Sequence, residues 1–428
     1  MPSDNLSKAA LDPLFLISQQ NKGLGPIEAD LRPDEIARRG WNLLREDLSL
    51  PAAVLRRDRL EHNAEWMRQF IEAYGVKLAP HGKTTMAPKL FAMQLQHGAW
   101  GITLATAPQT LAAWRHGVRR VLMANQLVGR QNMALISGMI EDPGFEFYCL
   151  ADTAELVQQL DAYFSTRGQQ VRVLIEVGIA GGRAGVRSEE QLSSVLDALA
   201  GSRGGVALSG IEVYEGILED ESAVRSFLGR AVEIAARLMA EGRFDRQPPI
   251  LSGAGSRWFD VVAEVFSSAK LPGPAEIVLR PGCYLSHDAG VYREAHAKVL
   301  ERNPVARRML SGLQPALQVW AYVQSVPEAR LAIAGIGKRD ASFDLGLPMP
   351  SLHFRPGSAA PAAAPAHWTL TKMMDQHAYL QIAPGDDVKV GDMIGFDISH
   401  PCLTFDRWRV IPIVDSEYRV VDVAQTFF

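Results

Sequence analysis

Short apolar runs alternate with longer segments of helical period from about residue 50 to residue 280. The short runs have the length of buried strands, and the clearest longer segments, at 58–74, 153–165, 189–199 and 219–241, have the length of helices. This alternation is typical of βα units, which build a parallel sheet covered by helices. The candidate strands are AAVL (52–55), VKLAP (76–80), GITLA (101–105), RVLMA (120–124), FEFYC (145–149), VRVLIEV (171–177), VALSGIEVY (206–214), PILSG (249–253) and EIVLR (276–280).

Eight such units that close on themselves form a TIM-like (β/α)8 barrel, and the ninth run, 276–280, would then lead out of it. An open doubly wound sheet is the alternative. The chemically unusual residues follow the C-terminal ends of strands: Lys83, the glycine-rich stretch 178–185, Tyr214 and the segment 253–256. A barrel gathers such loops at one face, where its active sites lie. The sequence therefore predicts the α/β class with a barrel.

The pattern changes after about residue 310, where strand-like runs follow one another with turns and few helical periods. These runs predict a separate, mostly antiparallel β domain. The predicted organisation is an N-terminal extension over 1–48 that contributes to the β domain, a barrel over 49–290, and a C-terminal β domain over 291–428. The low-complexity segment 356–366, PGSAAPAAAPA, is interpreted as a mobile loop or an insertion within that domain.

Charge and cysteine content limit the classes of partner and compartment. Lys and Arg total 44 against 48 Asp and Glu, which gives a net charge of −4 and no basic excess for a nucleic-acid backbone. Cys149, Cys283 and Cys402 lie too far apart in the chain to indicate a disulfide framework. The N-terminus lacks the order of a signal peptide, and no uninterrupted apolar stretch is long enough to cross a membrane. We expect a cytoplasmic protein without nucleic-acid or membrane partners.

The segment LAPHGKTTMAP places Lys83 directly after a predicted strand. A phosphate-binding loop of the GxxxxGK[ST] type would need glycine at position 77, where Lys77 stands, so a nucleotide site is excluded. Two interpretations remain. Lys83 is either a solvated surface charge or a lysine that forms a Schiff base with a carbonyl cofactor, which requires a desolvated amine.

Two glycine-rich loops offer backbone N–H groups to an anion. In LSGAGSRW (251–258) the small residues follow a strand, but a dinucleotide fingerprint would need glycine where Trp258 stands, so a single phosphate fits better. A tight βα turn is the alternative. In EVGIAGGRAGV (176–186) the glycines surround Arg183, and such an arginine suits an anion or a phenolate. Tyr214 and Tyr284 follow strands or turns, where each is either a ligand or a core residue.

His400 and Cys402 in DISHPCLTFDRW are two residues apart, so in an extended chain both side chains point to one face. Imidazole and thiolate together suit a divalent transition metal such as zinc. Because two ligands do not close a tetrahedral site, a metal bound here would remain open to water or substrate and could act as a Lewis acid. The alternative is a buried cysteine beside a surface histidine.

Taken together and in order, these segments resemble the D-serine dehydratase and D-threonine aldolase family, which are pyridoxal-phosphate enzymes with an alanine racemase-like fold (fold type III). The resemblance implies a barrel joined to a C-terminal β domain, a homodimer, pyridoxal 5'-phosphate, and a divalent metal (zinc or manganese) bound from the β domain. It covers most of the chain. The matching segments are HGKTT, LATAPQT, LMANQLVG, EVGIAGGRAGV, GIEVYEG, SGAGS, RPGCYLSHD and SHPC.

The resemblance also implies roles for individual residues. Lys83 would be the Schiff-base lysine, with His81 as a second catalytic candidate beside it. The sequence departs from the family pattern at Ala254, within the glycine run, and at Leu403, where a proline is common. The remaining implied roles are Arg183 at the cofactor's phenolic oxygen, Tyr214 near its pyridine ring, Gly253, Gly255, Ser256 and Tyr284 around its phosphate, and His400 and Cys402 at the metal.

The activity implied by this family is the elimination of water from a D-3-hydroxy amino acid, which yields a 2-oxo acid and ammonia. Retro-aldol cleavage to glycine and an aldehyde is the closest alternative. The cysteine at position 402 resembles the dehydratase branch, since aldolases tend to carry aspartate there. A non-catalytic pyridoxal-phosphate carrier is a third possibility, but such carriers consist of a bare barrel, and the strand-rich region after residue 310 disfavours it.

Overall fold

The computed structural model describes residues 16–309 and 311–428. After a first strand, β1 (Ala52–Arg56), the chain forms a ring of eight parallel strands in the order β2-β9-β8-β7-β6-β5-β4-β3. The ring closes between β2 and β3, where Thr103 N–H donates to the carbonyl of Pro80 at 2.9 Å. This confirms the predicted barrel. Its strands are β2 (Lys77–Leu78), β3 (Ile102–Leu104), β4 (Arg120–Gln126), β5 (Glu146–Ala151), β6 (Val171–Val177), β7 (Val206–Val213), β8 (Ile250–Gly253) and β9 (Glu276–Leu279).

Helices follow the barrel strands and cover the outside of the ring. Several begin at a side chain that accepts a hydrogen bond from the first turn: Thr106, Thr153, Ser188 and Asp220. Each such cap stabilises its helix by about 1 kcal/mol. In the described part of the chain the α-helices are α1 (Pro33–Ile36), α2 (Arg57–Tyr74), α3 (Pro88–Gln96), α4 (Ala107–Arg115), α5 (Arg130–Ile140), α6 (Ala154–Ser165), α7 (Glu189–Ala200), α8 (Glu221–Ala240), α9 (Phe259–Ser267), α10 (Val291–Arg302) and α11 (Cys402–Phe405).

Apolar side chains fill the interior of the barrel, so a ligand cannot pass through it. Where the strands end on their C-terminal side, polar residues replace the apolar ones, among them Glu176, Glu212 and Ser252. The loops that follow the C-terminal ends of the strands therefore rest on a closely packed apolar interior. The apolar cluster consists of Ala79, Leu122, Ala124, Tyr148, Leu150, Leu174, Ile250 and Val278.

A second, mostly antiparallel sheet follows the barrel. Its main path runs β13-β12-β16-β10-β1-β17-β18, and a further group of three strands, β11, β15 and β14, continues from β10. The strands are β10 (Leu317–Glu328), β11 (Leu331–Ala334), β12 (Met349–Phe354), β13 (Ala362–Ala363), β14 (Thr369–Met373), β15 (Ala378–Gln381), β16 (Met393–Asp397), β17 (Val410–Val414) and β18 (Val420–Gln425).

The structure corrects the assignment of two predicted runs. The run 52–55 is not a barrel strand, because β1 pairs antiparallel with β10 and parallel with β17 in the second sheet. The run 276–280 does not lead out of the barrel, because β9 pairs with both β2 and β8. A strand buried on both faces has the same short apolar pattern in either sheet, so periodicity could not separate them.

Residues 16–48 and the Pro/Ala segment both belong to the surroundings of the second sheet. Ile36 and Trp41 pack in one apolar cluster with Trp320 and Val410. Within the segment 356–366, β13 pairs with β12 at the edge of the sheet. Across the described ranges, no helix has the length and apolar character needed to span a membrane.

Candidate active site

Lys83 lies in a single 3-10 turn, Gly82–Thr84, that follows β2 at the mouth of the barrel. A Cβ at Gly82 would lie 2.7 Å from Ile102 Cγ2 and 2.8 Å from Phe91 Cε1, so only glycine lets this turn pack so closely. The side chain of Lys83 is open to solvent at the mouth. The surrounding protein nevertheless lowers the pKa of its ammonium, chiefly because partial burial disfavours the charge, and the positive charge of Arg183 adds to this.

His81 precedes this turn, and its Nδ1 is buried without a hydrogen-bond partner. Burial holds the pKa of the imidazole well below its ordinary value, and the neighbouring charges of Lys83 and Arg280 act in the same direction. The ring is therefore neutral at pH 7. An unsatisfied buried nitrogen is costly, so His81 carries a polar atom whose partner the fold does not supply.

Arg183 and Tyr214 follow β6 and β7 at the same mouth. The guanidinium of Arg183 stands 4.5 Å from the centre of the Tyr214 ring, a cation–π contact that keeps both side chains together. The loop that carries Arg183 is held at Gly185, whose N–H donates to the Asp152 carboxylate at 2.9 Å. A small cavity opens between this loop and Tyr214. Burial raises the pKa of Tyr214, so its hydroxyl is protonated at neutral pH.

The loop after β8 offers fewer free donors than its sequence predicts. The N–H groups of Ala254 and Gly255 donate to the buried carboxylate of Glu215 at 3.1 and 2.7 Å. Ala254 also holds a positive φ of 82°, a strained conformation for a residue other than glycine. Gly253 packs tightly, because a Cβ there would lie 3.0 Å from Val213 Cγ2 and 3.1 Å from Val262 Cγ1.

Ser256 connects this loop to the loop after β9. Its hydroxyl oxygen accepts the N–H groups of Gly282 and Cys283 at 3.2 and 3.1 Å. A second small cavity adjoins Ser256 and Cys283. Tyr284 is buried and lines the same cavity, and burial holds the pKa of its hydroxyl well above its ordinary value, so the hydroxyl is protonated at neutral pH. The structure thus brings Ser256, Cys283 and Tyr284 to one cavity.

A buried ion pair lies beneath the mouth and was not predicted from the sequence. Arg280 bonds the carboxylate of Glu212, and it also donates to the hydroxyl of Ser252 at 3.1 Å and to the carbonyl of Val213 at 3.0 Å. Burial raises the pKa of Glu212 to about 7, even though the Arg280 charge opposes the shift. Arg280 is one of several positive charges near the mouth, which suits an anionic ligand.

The β domain reaches the lysine turn at Cys402. The Sγ of Cys402 lies 3.4 Å from the Oγ1 of Thr84, and it lies 3.7 Å from the Sγ of Cys283. Hydrogen bonds from Cys283 and His400 hold the pKa of the Cys402 thiol well below its ordinary value. The predicted metal pair therefore stands next to Lys83, although the two motifs are more than 300 residues apart in the chain.

His400 has a carboxylate partner that the sequence did not reveal. Its Nδ1 lies 2.8 Å from Asp344 Oδ2, which fixes Nδ1 as the donor and leaves Nε2 as the nitrogen for a ligand. Bonding to Cys402 and Asp344 raises the pKa of His400 to about 9. Within the described ranges, no group of three or more His, Cys, Asp or Glu side chains is arranged to hold a metal. His400 and Cys402 thus form a pair of candidate ligands rather than a complete cage.

Comparisons with known proteins point to one family. The family profile described as "Alanine racemase, N-terminal domain" matches residues 55–259, and the profile described as "Putative serine dehydratase domain" matches residues 316–414. The D-threonine aldolase of Arthrobacter sp is 26% identical over 363 residues, which are 83% of this chain and 86% of that protein. The chain belongs to the D-serine dehydratase and D-threonine aldolase family.

Further relatives agree with this family. The D-threo-3-hydroxyaspartate dehydratase of Delftia sp. (strain HT23) is 26% identical over 248 residues, 56% of this chain and 62% of that protein. Its solved structure has a TM-score of 0.70, with 22% identity over 90% of this chain and 99% of that chain. The structure of D-threonine aldolase from Filomicrobium marinum has a TM-score of 0.74 and 22% identity, and the match covers 90% of this chain and 97% of that chain. These likenesses confirm the alanine racemase-like fold.

Membership of this family makes the chain an enzyme of a lyase family, because its named relatives are aldolases and dehydratases. Pyridoxal 5'-phosphate is therefore the group that the mouth must fit. An aldehyde needs an amine of lowered pKa, and Lys83 has one. The charges of Arg183 and Arg280 near Lys83 suit an anion at the same mouth. The residues present fit the cofactor.

Proposed function

We propose that the chain is a pyridoxal-phosphate and metal-dependent lyase that eliminates water from a D-3-hydroxy amino acid, giving a 2-oxo acid and ammonia. The observation that carries this proposal is the contact between Cys402 and the lysine turn, with Sγ and Thr84 Oγ1 3.4 Å apart. It brings a candidate metal ligand of the β domain beside the amine of the barrel. The names of the Delftia and Arthrobacter relatives support the substrate class.

Different residues at the mouth would hold different parts of the cofactor. Lys83 would hold its aldehyde carbon, Arg183 would face its phenolic oxygen, and Tyr214 would lie near its ring. Ser256 offers a hydroxyl at the junction of two loops for its phosphate. Gly253, Gly255 and Tyr284 complete the proposed set around the phosphate, and Tyr284 lines the cavity that adjoins Ser256.

Once bound, the cofactor supplies an electron sink that makes the α proton of an attached amino acid acidic. Lys83 is the base that removes this proton from Cα, because the lowered pKa of its amine favours the neutral form. His81, neutral and next to the turn, is the second catalytic candidate, but its lowered pKa makes it a poor acceptor for the proton of the Lys83 ammonium. The face of Cα that Lys83 meets determines the handedness of the substrate.

His400 and Cys402 would hold a divalent metal, zinc or manganese, which would act as a Lewis acid toward a β-hydroxyl. Asp344 orients His400 for this role. One solved structure similar to this chain is a cysteine-to-alanine variant of D-threo-3-hydroxyaspartate dehydratase in a metal-free form. A metal held by only these two side chains would have open coordination positions for substrate.

Retro-aldol cleavage is the second candidate, and the 83% coverage of this chain by the Arthrobacter D-threonine aldolase match favours it. The cysteine at position 402 favours dehydration by resemblance. A non-catalytic carrier of the cofactor is a remote third candidate. A carrier needs only a barrel, and it would not require the contact that the β domain makes with the turn of Lys83.

A product screen of D-3-hydroxy amino acids, with and without a chelator, separates these candidates. Ammonia with a 2-oxo acid identifies the dehydratase, and glycine with an aldehyde identifies the aldolase. Lys83→Ala should reduce turnover by at least a thousandfold, which is about 4 kcal/mol of barrier. Lys89→Ala, at an exposed lysine six residues further on, is the matched control and should keep its rate. No turnover of any D-3-hydroxy amino acid by the unaltered protein would refute the proposal.

Three further expectations accompany this proposal. We infer a homodimer from the family resemblance, and sedimentation velocity of the purified chain tests it. The cytoplasmic location and the domain boundaries after residues 48 and 290 stay predictions. Fractionation of cells tests the location, and limited proteolysis tests the boundaries.

A further inference from the structure

Two cysteines from different parts of the fold meet at the edge of the candidate active site. Cys283 lies in the loop that leaves the barrel after β9, and Cys402 begins α11 in the β domain. Their sulfurs are 3.7 Å apart. The third cysteine, Cys149, is fully buried in β5 within the main core. The chain therefore has one pair of neighbouring thiols and one isolated thiol.

We propose that Cys283 and Cys402 form a reversible disulfide when the protein meets a peroxide, and that this modification removes the Cys402 thiolate from the metal site. A disulfide needs its sulfurs about 2 Å apart, so the two atoms must approach by about 1.7 Å. The consequence for the metal rests on the proposed function, whereas formation of the bond does not.

The surroundings of the two sulfurs favour movement of one partner. The N–H of Cys283 donates to Ser256 at 3.1 Å, and Cys283 is only 3% exposed, so this residue is held in place. Cys402 is partly exposed and lies in a one-turn helix at the rim. A small rotation of the Cys402 side chain is therefore the simplest way to bring the sulfurs together, and peroxide reaches Cys402 first.

The reaction balances with one peroxide for each disulfide. Cys402 sulfur attacks a peroxide oxygen, the O–O bond breaks, and the products are a sulfenic acid on Cys402 and water. Cys283 sulfur then attacks the Cys402 sulfur, the S–O bond breaks, and the hydroxide leaves as water with the thiol proton. The two thiols lose two hydrogens and two electrons, and hydrogen peroxide is reduced to two water molecules. A dithiol reductant reverses the change.

The disulfide would have a specific structural effect. Cys402 Sγ now lies 3.4 Å from the hydroxyl of Thr84 in the lysine turn. A covalent link to Cys283 would tie the β domain to the barrel at the mouth and would leave His400 as the single member of the candidate metal pair. Oxidation would thus remove metal dependence and activity together, without unfolding the chain.

Hydrogen peroxide treatment of the full chain, followed by alkylation under denaturing conditions and peptide mass spectrometry, tests the proposal. We expect two of the three thiols to become resistant to alkylation, with a peptide pair joining Cys283 to Cys402 and Cys149 alkylated as before. Dithiothreitol should restore all three thiols. In Cys283→Ser the joined peptides should disappear, and a sulfenic acid on Cys402 should react with dimedone instead.

Two results would overturn the inference: peroxide that leaves all three thiols free, or peroxide that converts Cys402 to sulfinic acid while Cys283 stays a thiol. The same peroxide treatment with zinc added beforehand distinguishes failure of this inference from failure of the proposed metal site. Zinc bound before the peroxide should slow formation of the disulfide at least tenfold if His400 and Cys402 hold the metal. A disulfide that forms equally fast with zinc supports the inference and counts against the metal site.

Discussion

Protonation of a buried histidine is expected to destabilise the fold in mild acid. His296 on α10 is 6% exposed, and its Nε2 accepts the N–H of Leu313 at 3.0 Å, which is possible only for the unprotonated nitrogen. Burial lowers the pKa of His296 from 6.5 to about 4. The unfolded chain therefore binds a proton at a pH where the folded chain does not. The stability contributed by neutral His296 is complete above pH 6.5 and is lost as the pH falls toward 4.

The size of this effect follows from the shift. A difference of about 2.5 pKa units corresponds to about 3 kcal/mol in total, of which about 2 kcal/mol is lost by pH 5. His287, whose ring centre lies 5.5 Å from that of His296, has a pKa lowered to about 3, chiefly by burial, and adds a loss of the same sign. The free energy of unfolding measured with urea should therefore be clearly lower at pH 5 than at pH 7.5.

Urea unfolding of the unaltered chain and of His296→Gln at pH 7.5, 6 and 5 measures this term. A glutamine amide oxygen can accept the Leu313 N–H and does not titrate, so the variant should lose about 2 kcal/mol less between pH 7.5 and pH 5. His377→Gln, at an exposed position, controls for the substitution itself. Equal losses of unfolding free energy in the unaltered chain and in His296→Gln would refute the reasoning.

The other predictions concern the mouth and its supports. Asp344→Asn should weaken zinc binding about 10- to 100-fold in calorimetry, because His400 loses the carboxylate that orients it, and undiminished affinity would contradict this role. Arg280→Met should lower the unfolding free energy by about 3–5 kcal/mol in urea, because Glu212 would remain buried without its partner. Ala254→Gly should stabilise the chain by about 1 kcal/mol by relieving the positive φ, and a loss of stability would show that the methyl group is needed.

The barrel could be predicted from the sequence because its strands and helices have different hydrophobic periods. The predicted runs 171–177 and 206–214 coincide closely with β6 and β7, and the predicted helix 58–74 with α2. The pairing of β1 with β10 could not be predicted, because partner choice depends on contacts between residues more than 250 positions apart. A local pattern contains no information about such partners.

The candidate site divides in the same way. Lys83 follows a strand and could be selected by position, whereas Glu215 and Asp344 are ordinary acidic residues in the sequence. Their roles arise from the loops that packing brings next to them. The closeness of Cys283 to Cys402 was equally invisible, because the chain separates them by 119 positions.

The covalent attachment of pyridoxal 5'-phosphate to Lys83 is the central claim, and reductive trapping tests it most directly. The purified chain is incubated with the cofactor, reduced with borohydride, digested and analysed by mass spectrometry. A phosphopyridoxyl group on the peptide that contains Lys83, absent from Lys83→Ala and retained in Lys89→Ala, is the predicted result. An unlabelled Lys83, or label that stays on another lysine in the Lys83→Ala variant, would contradict the account.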